Sequence, residues 1–193
     1  MVRAERASSP DLDAVVGTLA AAFQGDPLWR WAFPDGAGIE PLWRFLVGSA
    51  LRFPHTWHAP GYAAASVWIP PGEAELTAAE EDGLGPLLER LAGGRAPLIL
   101  ELLERFEEAH PRAAPHYYLS LLGTHPDRRG AGVGMALLAE NLAAIDAQHM
   151  PAYLESSNPA NDARYERVGF SRIGWFETPD GRRRVSTMWR EAR

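Results

Sequence analysis

The sequence predicts an α/β fold in one domain spanning residues 1–193. Three observations carry the expectation. A strand-like apolar run at 117–122 enters a turn with glycine at alternate positions (Gly130, Gly132, Gly134), and a helix-like run follows at 135–147. Strand-like and helix-like runs interleave along the rest of the chain, with no internal repeat, low-complexity tract or linker between them. Apolar residues make up 46% of the 193, enough for a full core.

Each element has a local reason. Residues 2–6 read as a short strand. Ser9 offers a helix cap and Pro10 a first helical position, and Leu12, Val15, Val16, Leu19, Ala20 and Phe23 recur at helical spacing. Gly25-Asp26-Pro27 ends that helix. A stretch dense in aromatics (Trp29, Trp31, Phe33) follows, closed by the turn Pro34-Asp35-Gly36. Residues 39–51 are helical, with Leu42, Phe45, Leu46 and Ala50 on one side. Residues 56–58 and 63–69 form a hairpin across Pro60-Gly61. Two helices follow at 76–91 and 97–110, so that 71–115 reads as a helical insertion. The central strand covers 117–124 and the next 152–156. A short helix over 161–168 stops at Gly169, and 170–177 pairs with 184–189 across Pro179-Asp180-Gly181.

Composition removes several classes of function. The chain has no cysteine, hence no disulfide, thiolate metal site or cysteine-bound acyl intermediate. Its formal net charge of −6 disfavours nucleic acid and suits a cationic substrate. No stretch approaches the roughly 20 apolar residues of a membrane span, and charges at the N-terminus stand where an export signal has its apolar segment. The expected location is the cytoplasm, with no membrane partner. Five of the histidines (His55, His58, His110, His125 and His149) show no metal-ligand spacing with carboxylates, so no metal is expected. Asp26 is either an anchor for a cationic amine or a turn residue before proline.

A strand-to-helix glycine turn leaves main-chain N–H groups bare beside the positive end of a helix dipole, which suits a phosphate or pyrophosphate. It is not a P-loop, because Gly134-Met135-Ala136 stands where Gly-Lys-Ser/Thr is needed. A dinucleotide turn belongs at the start of a βαβ unit, whereas this strand lies past the chain midpoint and two arginines precede the first glycine. Glu155, 21 residues past Gly134, satisfies that motif's acidic criterion, so the criterion alone does not exclude it.

Residues Arg129, Gly132 and Gly134, with Pro126 ahead of them, resemble the pyrophosphate motif of the GNAT superfamily of acyl-CoA-dependent N-acyltransferases. A second stretch agrees: Leu154-Glu155, then Asn158 and Asn161, then Tyr165-Glu166-Arg167-Val168-Gly169-Phe170. Within the superfamily the chain looks most like puromycin N-acetyltransferase-like members, through Val67-Trp68-Ile69-Pro70-Pro71, Tyr117-Tyr118 and Leu154-Glu155-Ser156. Thr124 departs from the pattern, which has an aliphatic residue there.

The resemblance implies the GNAT fold: a mixed central sheet of about six to seven strands, flanked by helices, whose two central parallel strands splay apart. It implies acetyl-CoA as acyl donor. Backbone groups of Leu122, Gly123 and Thr124 would take its pantetheine arm, and the turn Arg129, Gly130, Ala131, Gly132, Val133, Gly134 and Met135 its pyrophosphate. Asn161, with Asn158 as the second candidate, would contact it near the thiol end. A side chain at Gly132 or Gly134 would block close approach or clash. An N–H near Leu122 would donate to the oxyanion.

Tyr165 matches the tyrosine beside the thioester sulfur and takes the role of general acid. A phenol near 10 protonating a thiolate near 8.5 is uphill by about 2 kcal/mol, so a hydrogen bond from Tyr165, with the proton supplied by the intermediate's ammonium, is equally open. Glu155 is the expected base, directly or through water, with His116 as a second candidate. An amine with pKa near 8 is about one-tenth neutral at pH 7 and one near 10.4 only about 0.04%, so the demand on that base depends on the acceptor. The implied activity is acetyl transfer to a primary amine of a small molecule, an antibiotic or metabolite, by a monomer or homodimer. The alternatives are a protein N-terminus or lysine as acceptor, and a non-catalytic acyl-CoA sensor.

Overall fold

A computed structural model describes residues 3–193. The predicted strand over 2–6 is reduced to β1 (Glu5–Arg6), and Val2 lies outside the described residues. The first helix, α1 (Leu12–Phe23), is preceded by a short 3-10 turn. The cap of that turn is Ser8 and not Ser9: the Ser8 N–H and hydroxyl both donate to Asp11 Oδ2 at 2.8 Å. The aromatic stretch is a helix, α2 (Pro27–Ala32), and α3 (Ile39–Ala50) follows. The hairpin consists of β2 (Thr56–His58) and β3 (Ala64–Ile69), antiparallel as expected. Between β3 and the central strand lie α4 (Ala78–Ala92), with a Thr77/Glu80 capping box, and α5 (Ala96–Ala109). The central strand β4 (Tyr117–Thr124) leads through the glycine turn to α6 (Val133–Asp146). Then come β5 (Ala152–Ser156), α7 (Asp162–Glu166) and the antiparallel pair β6 (Ser171–Glu177) and β7 (Arg184–Arg190).

Among the described residues, the seven strands form one mixed sheet in the order β1-β2-β3-β4-β5-β7-β6. One face packs against the helices that precede β4, with Leu19, Leu42, Trp43, Leu88, Ile99 and Leu102 fully buried there. The other face packs against α6, whose buried residues Gly134, Leu137, Leu138, Asn141, Leu142 and Ile145 fall at i, i+3, i+4, i+7, i+8 and i+11. Each of these large apolar side chains contributes about 2 kcal/mol on leaving water. Asn141 is the one polar member, and Ser66 and the Trp68 indole both donate to its carbonyl oxygen, at 2.7 and 3.1 Å. Buried Arg190 ties β7 to the end of α6 through two bonds to Asp146 (2.6 and 2.8 Å) and to the chain beyond α7 through the Val168 carbonyl.

Two irregularities shape the middle of the sheet. The parallel ladder between β4 and β5 covers only Tyr117↔Ala152, Tyr118↔Tyr153 and Leu119↔Leu154, although both strands run on. On the other edge of β4 the register slips: Leu119 faces Trp68 but Leu121 faces Val67, leaving Ser120 as an extra residue. The bulge reverses the alternation. Leu119 belongs to the core on the α6 side, and Leu121 to the core on the α1 and α3 side.

Candidate active site

Where β4 and β5 separate, the inner edge of β4 has no neighbouring strand among the described residues. His125 N–H bonds the Ala63 carbonyl on the β3 side at 3.0 Å, while Tyr117 N–H bonds the Pro151 carbonyl on the β5 side. Counting back by alternation, Gly123 and Leu121 spend their backbone groups on β3, and Leu122 and Thr124 direct theirs into the gap. Of the three residues expected to meet the pantetheine arm, two therefore offer main-chain groups. Gly123 serves the packing of α1 instead. A Cβ there would stand 2.8 Å from Ala22 Cβ and 3.0 Å from Leu19 Cδ2, so its bareness lets that helix lie close on the strand.

The glycine turn continues this open edge. Among the described residues, no main-chain acceptor takes the N–H groups of 130–135, six in succession at the start of α6. Gly130 and Gly132 have φ of +82° and +73°, a conformation that favours glycine, and open space around the missing Cβ. The expected clash at Gly132 is thus absent, and its requirement is conformational. The steric requirement sits at Gly134, where a Cβ would overlap Thr124 Oγ1. Thr124, the departure from the superfamily pattern, is what Gly134 packs against. Arg129 turns its guanidinium back to the Ala22 carbonyl at the end of α1 (2.7 Å), where a cation complements the helix dipole.

A cavity of about 680 Å³ runs along this edge. Leu122, Gly123, Thr124, Arg129, Gly130, Gly132, Val133, Gly134, Met135 and Asn161 line it, with Asn158 and Tyr165, whereas Ala131 is exposed in the turn and does not. Arg128, Arg164 and Arg167 also line it, three cations to which the motif gave no role. Unpaired N–H groups, a helix N-terminus, arginines and an unpartnered strand edge are the donors that a diphosphate joined to an amide-rich arm requires, so these residues fit coenzyme A.

A second cavity, of about 740 Å³, lies on the far side of the gap. Its apolar wall includes Trp29, Leu42, Trp43, Leu84, Leu103 and Phe106, and Glu73, Glu75, Glu81, Glu107 and Glu155 outnumber Arg112 around it, so that it is acidic. A neck of about 70 Å³ between β4 and β5 adjoins both: it shares Leu122, Asn161 and Tyr165 with the first cavity, and Ser120, Leu121 and Glu155 with the second.

Glu155 and Tyr165 stand at the two sides of that neck. The Glu155 side chain is 2% exposed, and its Oε1 has no hydrogen-bond partner among the described residues. Burial pushes its carboxyl up to about 8; nearby Tyr153 and Tyr118 offset part of this, and the Glu75 carboxylate adds to it. Burial raises Glu75 too, and the Ser120 hydroxyl at the bulge donates to it. Tyr165, on α7, is pushed up to about 12 by burial, with Asp26 and Asp162 nearby.

Two expected residues have structural partners of their own. Asp26 caps α2, accepting from the N–H groups of Leu28 (2.9 Å) and Trp29 (3.2 Å), and its other oxygen accepts from Ser157 beyond β5 (2.8 Å). Asp26 is thus a capping residue, and it also lines the first cavity. His116 is buried, with Nδ1 2.8 Å from the Ala114 carbonyl and Nε2 3.0 Å from His110 Nε2. His110 stands between it and Glu155, with Nδ1 4.0 Å from Glu155 Oε1. Weighing the histidines as metal ligands overlooked this pair; among the described residues no group of side chains is arranged to hold a metal ion. Glu75 lies in the loop before α4, where sequence carries no signal for it.

No protein-family model matches the chain. Solved structures do. A Corynebacterium glutamicum protein named histone acetyltransferase HPA2 and related acetyltransferase superposes with a TM-score of 0.72 at 23% identity, over 100% of this chain and 98% of that one. An agmatine N-acetyltransferase gives 0.70 at 18% identity, over 98% and 99%. The polyamine N-acetyltransferase of Drosophila melanogaster gives 0.67 at 17%, over 99% and 100%. The chain therefore has the GNAT acetyltransferase fold, with the seven-stranded mixed sheet and central splay that the resemblance implied. Among the described residues no helix is long and apolar enough to cross a membrane.

Proposed function

We propose that the protein, as a single domain, is an acetyl-CoA-dependent N-acetyltransferase acting on a primary amine of a small molecule. The observation that carries the reading is the pair of cavities meeting at one neck. One side has bare N–H groups and arginines for the acyl donor; the other is apolar and acidic for an amine. The named acceptors of the similar structures, agmatine and polyamines, are small amines, which supports the second half.

The acceptor enters as a cation, drawn by the acidic cavity, and Glu155 takes its proton. A carboxylate near 8 is matched to amines between about 8 and 10, which a carboxylate of ordinary pKa is not. The neutral amine attacks the thioester carbon, forming the C–N bond, and a main-chain N–H at Leu122 stabilises the oxyanion. The C–S bond then breaks, and the sulfur leaves beside Tyr165. Raised to about 12, Tyr165 is a weak proton donor to a thiolate near 8.5, so it acts by hydrogen bonding while the ammonium of the intermediate supplies the proton. Walls from α4 and α5 favour a small acceptor over a polypeptide. The likeness to puromycin N-acetyltransferases at 67–71, 117–118 and 154–156 nominates an aminoacyl amine with an aromatic group for the apolar wall.

The test is free-thiol release from acetyl-CoA with agmatine, 2-phenylethylamine, a puromycin-like aminoacyl compound and an alanine-initiated peptide, alongside calorimetry of coenzyme A binding. Turnover with the small amines is expected. Binding of coenzyme A with no turnover would favour a sensor, and turnover confined to the peptide would move the acceptor class.

A further inference from the structure

Glu155 takes a proton in every cycle and must return it to water, yet its side chain is 2% exposed. The His110 side chain is 26% exposed, on the segment that follows α5, and lines the same acidic cavity. We propose that His110 carries the acceptor's proton from Glu155 to bulk water, with His116 fixing the ring state that allows it. The proposal rests on Glu155 being the base.

The hydrogen-bond geometry dictates the ring states. A backbone carbonyl only accepts, so His116 Nδ1, 2.8 Å from Ala114 O, carries the hydrogen. With both rings neutral, His116 Nε2 is then an acceptor, and its partner at 3.0 Å, His110 Nε2, is the donor. That leaves the lone pair of His110 on Nδ1, the nitrogen 4.0 Å from Glu155 Oε1. The separation exceeds a hydrogen bond, and contacts of this kind tighten when the ligand binds. The His110 ring is held in place by aromatic edges, Tyr118 at 4.8 Å and Tyr153 at 5.0 Å between centroids.

In sequence, the acceptor ammonium gives a proton to the Glu155 carboxylate. The carboxylic acid gives it to His110 Nδ1. The half-buried imidazolium gives the same proton from Nδ1 to water in the cavity, which restores neutral His110 in its original tautomer. His116 moves no proton and is a positioning residue. Burial and neighbouring His116 hold His110 down at about 4, so it stores no proton. Its imidazolium, held below the Glu155 carboxyl in proton affinity, is a transient carrier rather than a resting state.

Two measurements on the full chain test this. Long-range proton–nitrogen correlation spectra of histidine-labelled protein should show His110 with hydrogen on Nε2 and His116 with hydrogen on Nδ1, assigned by loss of signals in His110→Phe and His116→Phe. Hydrogen on His110 Nδ1 overturns the proposal whatever the activity. With acetyl-CoA and agmatine or 2-phenylethylamine, His110→Phe should lower kcat at neutral pH about tenfold or more, and imidazole in the assay should restore part of the loss. Neither change should alter coenzyme A affinity. Unchanged kcat, or a loss that imidazole leaves untouched, refutes the relay. If Glu155→Gln keeps full turnover, the base assignment itself fails, and the relay with it. If wild type turns over neither amine, the transferase reading fails first.

Discussion

Replacing Glu155 by glutamine should cost activity and add stability, and the second effect is the more discriminating. The carboxyl sits at about 8 in the folded protein against an ordinary 4.5, because burial disfavours its charge. Below about pH 4.5 it is protonated in both states and destabilises nothing. As pH rises from there to about 8, the unfolded chain gives up the proton and the folded one keeps it, so stability falls throughout this window and levels off above it. The span from 4.5 to about 8, at 1.36 kcal/mol per pH unit, sets a ceiling of about 5 kcal/mol on the loss. Glutamine has no charge to bury and a similar shape. Urea denaturation of both proteins from pH 5 to 9 should show curves that lie together in acid and diverge as pH rises, with glutamine the more stable at pH 9. In activity, kcat/KM of the wild type should climb to a plateau above pH 8, starting from about one-tenth at pH 7, and the variant should lose this limb. A stability difference that stays constant with pH, or a glutamine variant weaker than wild type at pH 9, would refute the argument that this carboxylate is buried and uncompensated.

Three more perturbations follow from the geometry. Tyr165→Phe should lower kcat by about 10²-fold by removing a hydrogen bond to the leaving sulfur, with coenzyme A affinity unchanged by calorimetry. Gly134→Ala should destabilise by about 1–3 kcal/mol and weaken coenzyme A binding, because its Cβ would overlap Thr124 Oγ1. Adding Thr124→Ala, which removes that oxygen, should recover most of the stability in a double-mutant cycle. Asp146→Asn should cost about 3 kcal/mol by thermal or urea melts, because it strips the charge from the partner of buried Arg190. The Arg190 pairing holds the Asp146 carboxyl below the usual range. Its contribution is therefore present above the ordinary carboxylate pKa and fades as pH falls through the lowered one, so wild type and variant should converge in acid.

Periodicity and turn chemistry located most of the elements, because both act within a few residues. The hairpin at Pro60-Gly61, the two helices before β4 and the pair across Pro179-Asp180-Gly181 fall where local signals put them. The glycine turn was legible for the same reason, since positive φ and bare amides demand glycine wherever they occur. What escaped depends on distant partners. Tyr117 to Thr124 reads as an uninterrupted strand, and nothing in those eight residues marks Ser120 as the extra one; the slip exists only relative to β3. The placing of β7 between β5 and β6 is likewise a property of the assembled sheet. Glu75 and His110 sit outside every motif and reach the site because α4 and α5 fold back over the sheet.

The bulge links these hidden features. A regular strand alternates without interruption, so Leu119 and Leu121 would share a face. One extra residue moves Leu121 to the face of α1 and α3, and it places the Ser120 hydroxyl on Glu75 in the acidic wall. At that point the β4–β5 ladder has ended at Leu119↔Leu154, and the register beyond it turns the N–H groups of Leu122 and Thr124 into the gap rather than toward β3. Without the extra residue, that parity would be inverted: Gly123 would face the gap, and Leu122 would bond the hairpin. The same slip therefore fixes which amides face the gap and which carboxylate the Ser120 hydroxyl meets. Two halves of a site, drawn from segments about 45 residues apart, are brought into register by one residue that has no partner on β3.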